Sequence, residues 1–146
     1  MKTFKSVAAL KAAAEKACKK TLNDQIKYLV EEKIGEKVDE LVYESYSPVI
    51  YERRGGLSDT FESRMVGAYT INIYDSEPAN ESVEGYPLPP HGVLAQWIND
   101  TGVPNVFNGK DYPWMHPRPF YDEAIEELDG SAELISVARA GFLANI

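Results

Sequence analysis

The stretch VYESYSPVIYERRGGL, residues 42–57, decides how the chain folds, because a helical pattern ends in it and an extended one begins. Pro48 has no amide hydrogen to donate and pushes Ser47 towards an extended backbone, so no helix passes through it. Gly55 and Gly56 then read as a turn. Tyr43, Tyr46 and Tyr51 crowd the same corner, and Arg53 and Arg54 precede the glycines directly.

Upstream of that corner, apolar residues recur at threes and fours: Val7, Leu10, Ala14, Ala17/Cys18, Leu22, Ile26, Leu29/Val30, Ile34, Val38 and Leu41/Val42. This is the spacing of one face of an α-helix. Thr21 or Asn23 could cap a new helix, yet the fours run through them without a change of phase. The pattern therefore predicts one long, slightly bent helix. Gly35 is its soft point, costing about 1 kcal/mol relative to alanine. So long a helix exceeds what the rest of the chain can bury. Its alanine-rich start either projects into solvent or lies against another subunit.

Downstream, Tyr69, Ile71 and Ile73 alternate with Ala68, Thr70 and Asn72, which predicts a half-buried strand over 65–74. Residues 57–64 belong to the same hairpin, and 46–51 and 105–112 are further strand candidates, since a hairpin alone is marginal. Residues 75–91, with four prolines and several carboxylates, predict an exposed, mobile loop. Residues 92–99 form a short helix with Val93, Leu94, Trp97 and Ile98 as its apolar face. A second helical pattern follows at Phe120, Ala124/Ile125, Leu128 and Leu134/Ile135. Pro119 suits its first turn, Asp122 and Glu123 suit its positive end, and Gly130 divides it. The predicted class is α+β, with a long N-terminal helix and a C-terminal helix packed on a small, mainly antiparallel β-sheet. One domain covers 1–146: a long helix over 1–46, sheet and loops over 47–115 with 75–91 flexible, and a C-terminal helical segment over 117–143.

A chain of 146 residues, 44% hydrophobic and 26% charged, is long enough for one domain with a real core. No apolar run approaches the roughly 20 residues of a membrane span, and no secretion signal is read. Cys18 is the single cysteine, which excludes an internal disulfide and fits synthesis in a reducing cytoplasm. Its place in the helical pattern predicts a small core residue. Charge divides sharply. Residues 1–56 hold eleven Lys/Arg against nine Asp/Glu, a net of +2, and residues 57–146 hold four against fourteen, a net of −10. Such an acidic chain is unsuited to neutralising a nucleic-acid backbone and suited to partners with basic patches.

Nothing gathers into a catalytic grouping. His91 and His116 sit among prolines and lack partners at ligand spacing. The expectation is that His116 packs or caps near the helix start and that His91 is exposed. Ser45, Ser47, Ser58, Ser63 and Cys18 lack a glycine-flanked elbow. The adjacent carboxylates Glu31–Glu32 and Glu126–Glu127 do not face each other on a helix and read as solvated faces. Arg53 and Arg54 suit bidentate pairing with carboxylates, within the chain or across a subunit boundary.

Three sets of residues carry a resemblance. Val42, Tyr43, Tyr46, Pro48, Tyr51, Arg53, Arg54, Gly55, Gly56 and Leu57 follow an amphipathic helix in a pattern similar to small virion proteins of tailed phages infecting Gram-positive bacteria. Arg118, Pro119 and Phe120, leading into an acidic helix, resemble the close of the tail-completion and head–tail joining (neck) proteins. The segment 97–102, from Trp97 to Gly102, stands where that family has a short hydrophobic segment ending in glycine. His116–Pro117 departs from the small residue usual before the arginine.

The resemblance implies a non-enzymatic ring subunit, hexameric or dodecameric. It would sit in the virion between the connector or adaptor and the tail-tube or tail-terminator proteins, with DNA passing through. No cofactor, no metal, no catalytic residue and no membrane contact are expected. The assembly candidates are Tyr43, Tyr46, Tyr51, Arg53, Arg54, Trp97, Trp114, Arg118 and Phe120. A small binding or inhibitor module, or a histidine-dependent hydrolase, is the competing reading.

Overall fold

A computed structural model describes residues 3–45, 56–76, 91–102 and 115–146 of the chain. The first helix begins at Ser6, whose hydroxyl accepts the Ala9 amide hydrogen at 3.1 Å. From there the backbone stays helical to Tyr43 as α1 (Val7–Thr21), a π turn (Leu22–Ile26), α2 (Lys27–Val38) and a second π turn (Asp39–Tyr43). Thr21 keeps helical angles and caps nothing. One continuous helix is what the unbroken run of fours predicted.

The π turns explain how a row spaced by fours stays on one side. On a regular helix a step of four residues advances about 40° around the axis, so three steps drift by about 120°. A π turn inserts one residue, about 100° of rotation, and absorbs most of that drift. The row that uses it is Ala17, Thr21, Gln25 and Leu29, of which Ala17, Thr21 and Leu29 are buried. The innermost row of α1 is thus offset by one position from the apolar row of Ala14, Cys18, Leu22 and Ile26. Cys18 is exposed, so it is not the core residue predicted. Further on, Ile34, Val38 and Val42 are buried as the spacing required.

Helix α5 (Ala132–Asn145) covers that offset row. Gly141 makes the close approach possible, because a Cβ there would lie 2.6 Å from Thr21 Cγ2 and 2.9 Å from Gln25 Oε1. The side-chain amide of Asn145 donates to the Gly141 carbonyl at 2.8 Å and reaches the Thr21 hydroxyl at 3.4 Å. The partner of the lower part of α1 is therefore the chain's own C-terminal helix. Residues 3–12 remain exposed beyond it.

Gly35 is no soft point. It is buried under the 3-10 turn Gly56–Ser58, and a Cβ at Gly35 would stand 2.8 Å from the Ser58 carbonyl oxygen. Glycine lets the returning chain lie directly on the helix. Tyr43 fastens the same crossing, its hydroxyl accepting the Leu57 amide hydrogen at 2.8 Å. Tyr43→Phe leaves that half-buried amide unsatisfied and is expected to cost about 1–2 kcal/mol in urea denaturation. An unchanged midpoint would show that solvent replaces the hydroxyl freely.

Strands β1 (Phe61–Met65) and β2 (Ile71–Asp75) pair antiparallel, with Phe61 opposite Asp75 and Met65 opposite Ile71. The strand expected over 65–74 is thus divided. Residues 66–70 are the hairpin connection, closed by the Val66 amide hydrogen on the Thr70 carbonyl at 3.0 Å, and Tyr69 is exposed at the tip. Alternation alone had extended the strand across a turn that Gly67 begins. The candidate strands 46–51 and 105–112 and nearly all of the loop 75–91 lie outside the described residues.

The remaining elements close the core. Helix α3 (His91–Asp100) buries Ala95, Ile98 and Asn99, and Trp97 sits at its half-exposed edge, so its inner face is turned slightly from the apolar face expected. Gly102, in a left-handed conformation (φ 74°), ends it. Helix α4 (Phe120–Leu128) starts one residue after Pro119, and Gly130 (φ 65°) separates it from α5 as predicted. Ile34, Val38, Val42, Leu57, Phe61, Ala95, Ile98, Phe120 and Ala124 form one hydrophobic core shared by helix, hairpin and both later helices. The architecture is α+β.

Candidate functional site

The residues expected to form contacts with neighbours divide by position. Tyr46, Tyr51, Arg53, Arg54 and Trp114 lie outside the described residues. Tyr43 is half-buried at the helix–turn crossing. Arg118 is 7% exposed and Phe120 0%, so in the isolated chain both belong to its interior. Phe120 packs against Phe61 and Tyr121, with ring centroids 6.2 and 4.4 Å away. Of the four described candidates only Trp97, 38% exposed, has much of its ring at the surface.

Phe120 is drawn inside by the junction of α3 with α4. The Arg118 amide hydrogen donates to the Ile98 carbonyl at 2.8 Å. The buried Asn99 side chain accepts the Tyr121 amide hydrogen at 2.9 Å and donates to Asp100 at 2.6 Å. Pro119 offers no side-chain oxygen to the first turn of α4, so Asn99 supplies the cap from another helix. Nothing in the local sequence around Pro119 announces this. The only signal is an asparagine near the end of an otherwise apolar helix face.

The second polar feature joins α2 to α4. Glu127 Oε1 lies 3.0 Å from Lys33 Nζ, and Glu127 Oε2 lies 3.0 Å from Lys37 Nζ. Each lysine also meets a carboxylate of its own helix, Lys33 with Glu36 at 2.7 Å and Lys37 with Glu40 at 3.1 Å. Hydrogen bonds from the two lysines hold the Glu127 carboxyl below the usual carboxylate range. Hydrogen bonds from the glutamates push both lysines up, with those of Glu36 and Glu127 dominant at Lys33. Glu126 and Glu127 are both exposed, as the spacing suggested, but Glu127 bridges while Glu126 faces solvent.

The signs fix a pH window. The Glu127 contribution is present above its ordinary pKa, near 4.5, and is lost as pH falls through the depressed folded value. The lysine contributions are present below about 10.5 and are lost as pH rises through their elevated values. Glu127→Gln is therefore expected to lower the melting temperature near neutral pH, with the difference from wild type shrinking as pH falls below the ordinary carboxylate range and through the depressed folded value. A constant difference across that range would show that Glu127 acts by packing alone.

Elsewhere the described surface offers little for chemistry. Among the described residues no group of three or more His, Cys, Asp or Glu could hold a metal ion. His116, expected to pack or cap near the helix start, lies exposed just ahead of α4. A shallow open groove runs between Tyr28, Glu31, Glu32, Ser58, Asp59 and Phe61 and carries three carboxylates. No helix among the described residues is long and apolar enough to cross a membrane. Large apolar side chains stand exposed at Val7, Leu10, Ile125, Ile135 and Leu143.

These features define an α+β protein whose long helix carries its own C-terminal helix and leaves its first turns uncovered. Over residues 6–144 the sequence matches the family model YomN, and the chain belongs to the YomN family, a Bacillus phage-derived protein family. No curated protein and no solved structure matches it.

Proposed function

We propose that the protein is a non-enzymatic structural protein of a tailed-phage virion, a ring-forming subunit of tail completion or head–tail joining. The observation that carries the reading is membership, over nearly the whole chain, in a phage-derived family. Support also comes from the order of the described elements, a long helix, a hairpin and an acidic helical close, which is the order the neck-protein resemblance implies. The exposed apolar residues Val7, Leu10, Ile125, Ile135 and Leu143 suit a subunit completed by neighbours. Its partners in this reading are further copies of itself, a connector or adaptor on one side and tail-tube or tail-terminator proteins on the other. DNA crosses the ring without sequence-specific contact.

Deleting the gene from an inducible phage and imaging the lysate by negative stain tests the reading. Filled heads separated from finished tails are the expected result. Intact, infectious particles lacking the protein would overturn it.

A further inference from the structure

The charge and exposure of the described surface are arranged in two halves that match. Residues 1–20 hold six lysines and one glutamate, a net of +5 in a chain whose total is −8, so the other residues carry −13. The part of this basic segment from residue 3 to residue 12 is exposed throughout. Along it Val7 is 84% exposed and Leu10 43%, three residues apart and so on one face of the helix. Lys5 and Lys11 border that face. Nothing within the described chain covers it.

Helix α4 and the turn after it carry the opposite pattern. Residues 120–133 contain six carboxylates and no lysine or arginine. In their midst Ile125 is 60% exposed, with Asp122 three residues before it and Asp129 four residues after it on the same side of the helix. Glu126 and Glu133 are exposed nearby. A branched aliphatic group ringed by carboxylates is the complement of an aliphatic pair ringed by lysines.

Resting on the ring-subunit reading, we propose that the projecting start of α1 is an arm that docks on the α4 surface of a neighbouring copy. Val7 and Leu10 lie against Ile125, and Lys5 and Lys11 face the Glu126 and Asp129 carboxylates. Donor and acceptor are different surfaces, so the contact is heterologous and repeats head to tail, the type that closes into rings. Opposed charges fix orientation and speed association, and they make it sensitive to salt.

Analytical ultracentrifugation of the full chain and two variants tests this. Lys5→Glu with Lys11→Glu reverses the arm. Glu126→Lys with Asp129→Lys reverses the acceptor and leaves Asp122, which lies 3.4 Å from Asn99, in place. Each variant alone is expected to raise the self-dissociation constant about tenfold or more. An equimolar mixture of the two restores association, since an acidic arm then meets a basic acceptor. Oligomers of unchanged mass and affinity in both variants would overturn the proposal. So would a wild-type chain that stays monomeric and instead sediments, through its arm, with phosphatidylglycerol vesicles. The two readings fail separately. Normal head–tail joining in the deletion phage removes the virion role and leaves the interface standing, whereas charge-independent rings remove this interface and leave the role.

Discussion

Gly102→Ala is expected to unfold the junction between α3 and α4, with a loss of about 3 kcal/mol or more. Two effects add. A left-handed residue with a side chain costs roughly 1–2 kcal/mol, and Gly102 has φ 74°. A Cβ at that position would also overlap the Met115 carbonyl and come within 2.6 Å of the His116 carbonyl carbon. Those atoms are backbone, so no rotamer change relieves the overlap, and overpacking of this kind adds about 1–3 kcal/mol. Gly130 provides the control. It has nearly the same backbone angle, φ 65°, and a Cβ there would meet nothing within 4 Å. Gly130→Ala should therefore show the conformational cost alone. Urea denaturation of both variants measures the difference, and equal losses would show that the contact with residues 115–116 contributes nothing.

Phe120→Ala is expected to cost about 3–5 kcal/mol, the range for truncating a fully buried aromatic. The ring is 0% exposed and is the meeting point of three layers. It lies against Phe61 of β1 and beside Tyr121, and shares the core with Val38 of α2 and Ile98 of α3. Burial pushes the Tyr121 phenol up, and the Asp75 carboxylate adds to that effect. Opening a cavity beside Tyr121 should move its ionisation back towards the ordinary tyrosine value. Ultraviolet titration would register that shift separately from stability. If Phe120→Ala left stability within about 1 kcal/mol of wild type while impairing assembly, the ring would be a contact residue after all.

Much of the first half of the fold was legible because local spacing carries it. Ile34, Val38 and Val42 fall inside at the positions periodicity assigned them, and Gly130 divides the last helix where its lack of a side chain suggested. Less was legible where polar residues line an interior. Thr21 and Gln25 face α5, yet a hydrophobicity pattern passes over both, and it admits Ala17 and Cys18 together although only Ala17 is inside. The strand over 65–74 failed for a related reason. Alternation persists through a hairpin turn when the turn residues happen to alternate too, and only the pairing of Met65 with Ile71 shows the reversal.

The candidate contact residues show the same division. Aromatic and arginine content suits both interfaces and cores, and sequence alone could not sort Phe120 and Arg118 from Trp97. Burial sorted them. Conversely, the spacing left open whether the helix start that carries Val7 and Leu10 projects or is covered by another subunit, and nothing within the described chain covers them.

By itself the sequence determined the α+β class, the continuity of the long helix, the corner after residue 42 and the split between a basic start and an acidic remainder. Each of these follows from composition or from spacing along one element, which the chain carries locally. Tertiary structure alone decided that Gly35 receives the Ser58 carbonyl, that Gly141 admits α5, that Asn99 caps α4 and that Glu127 joins Lys33 to Lys37. Those contacts unite residues up to 120 positions apart (Thr21 with Gly141), and no local pattern encodes which distant surface will arrive at a given face.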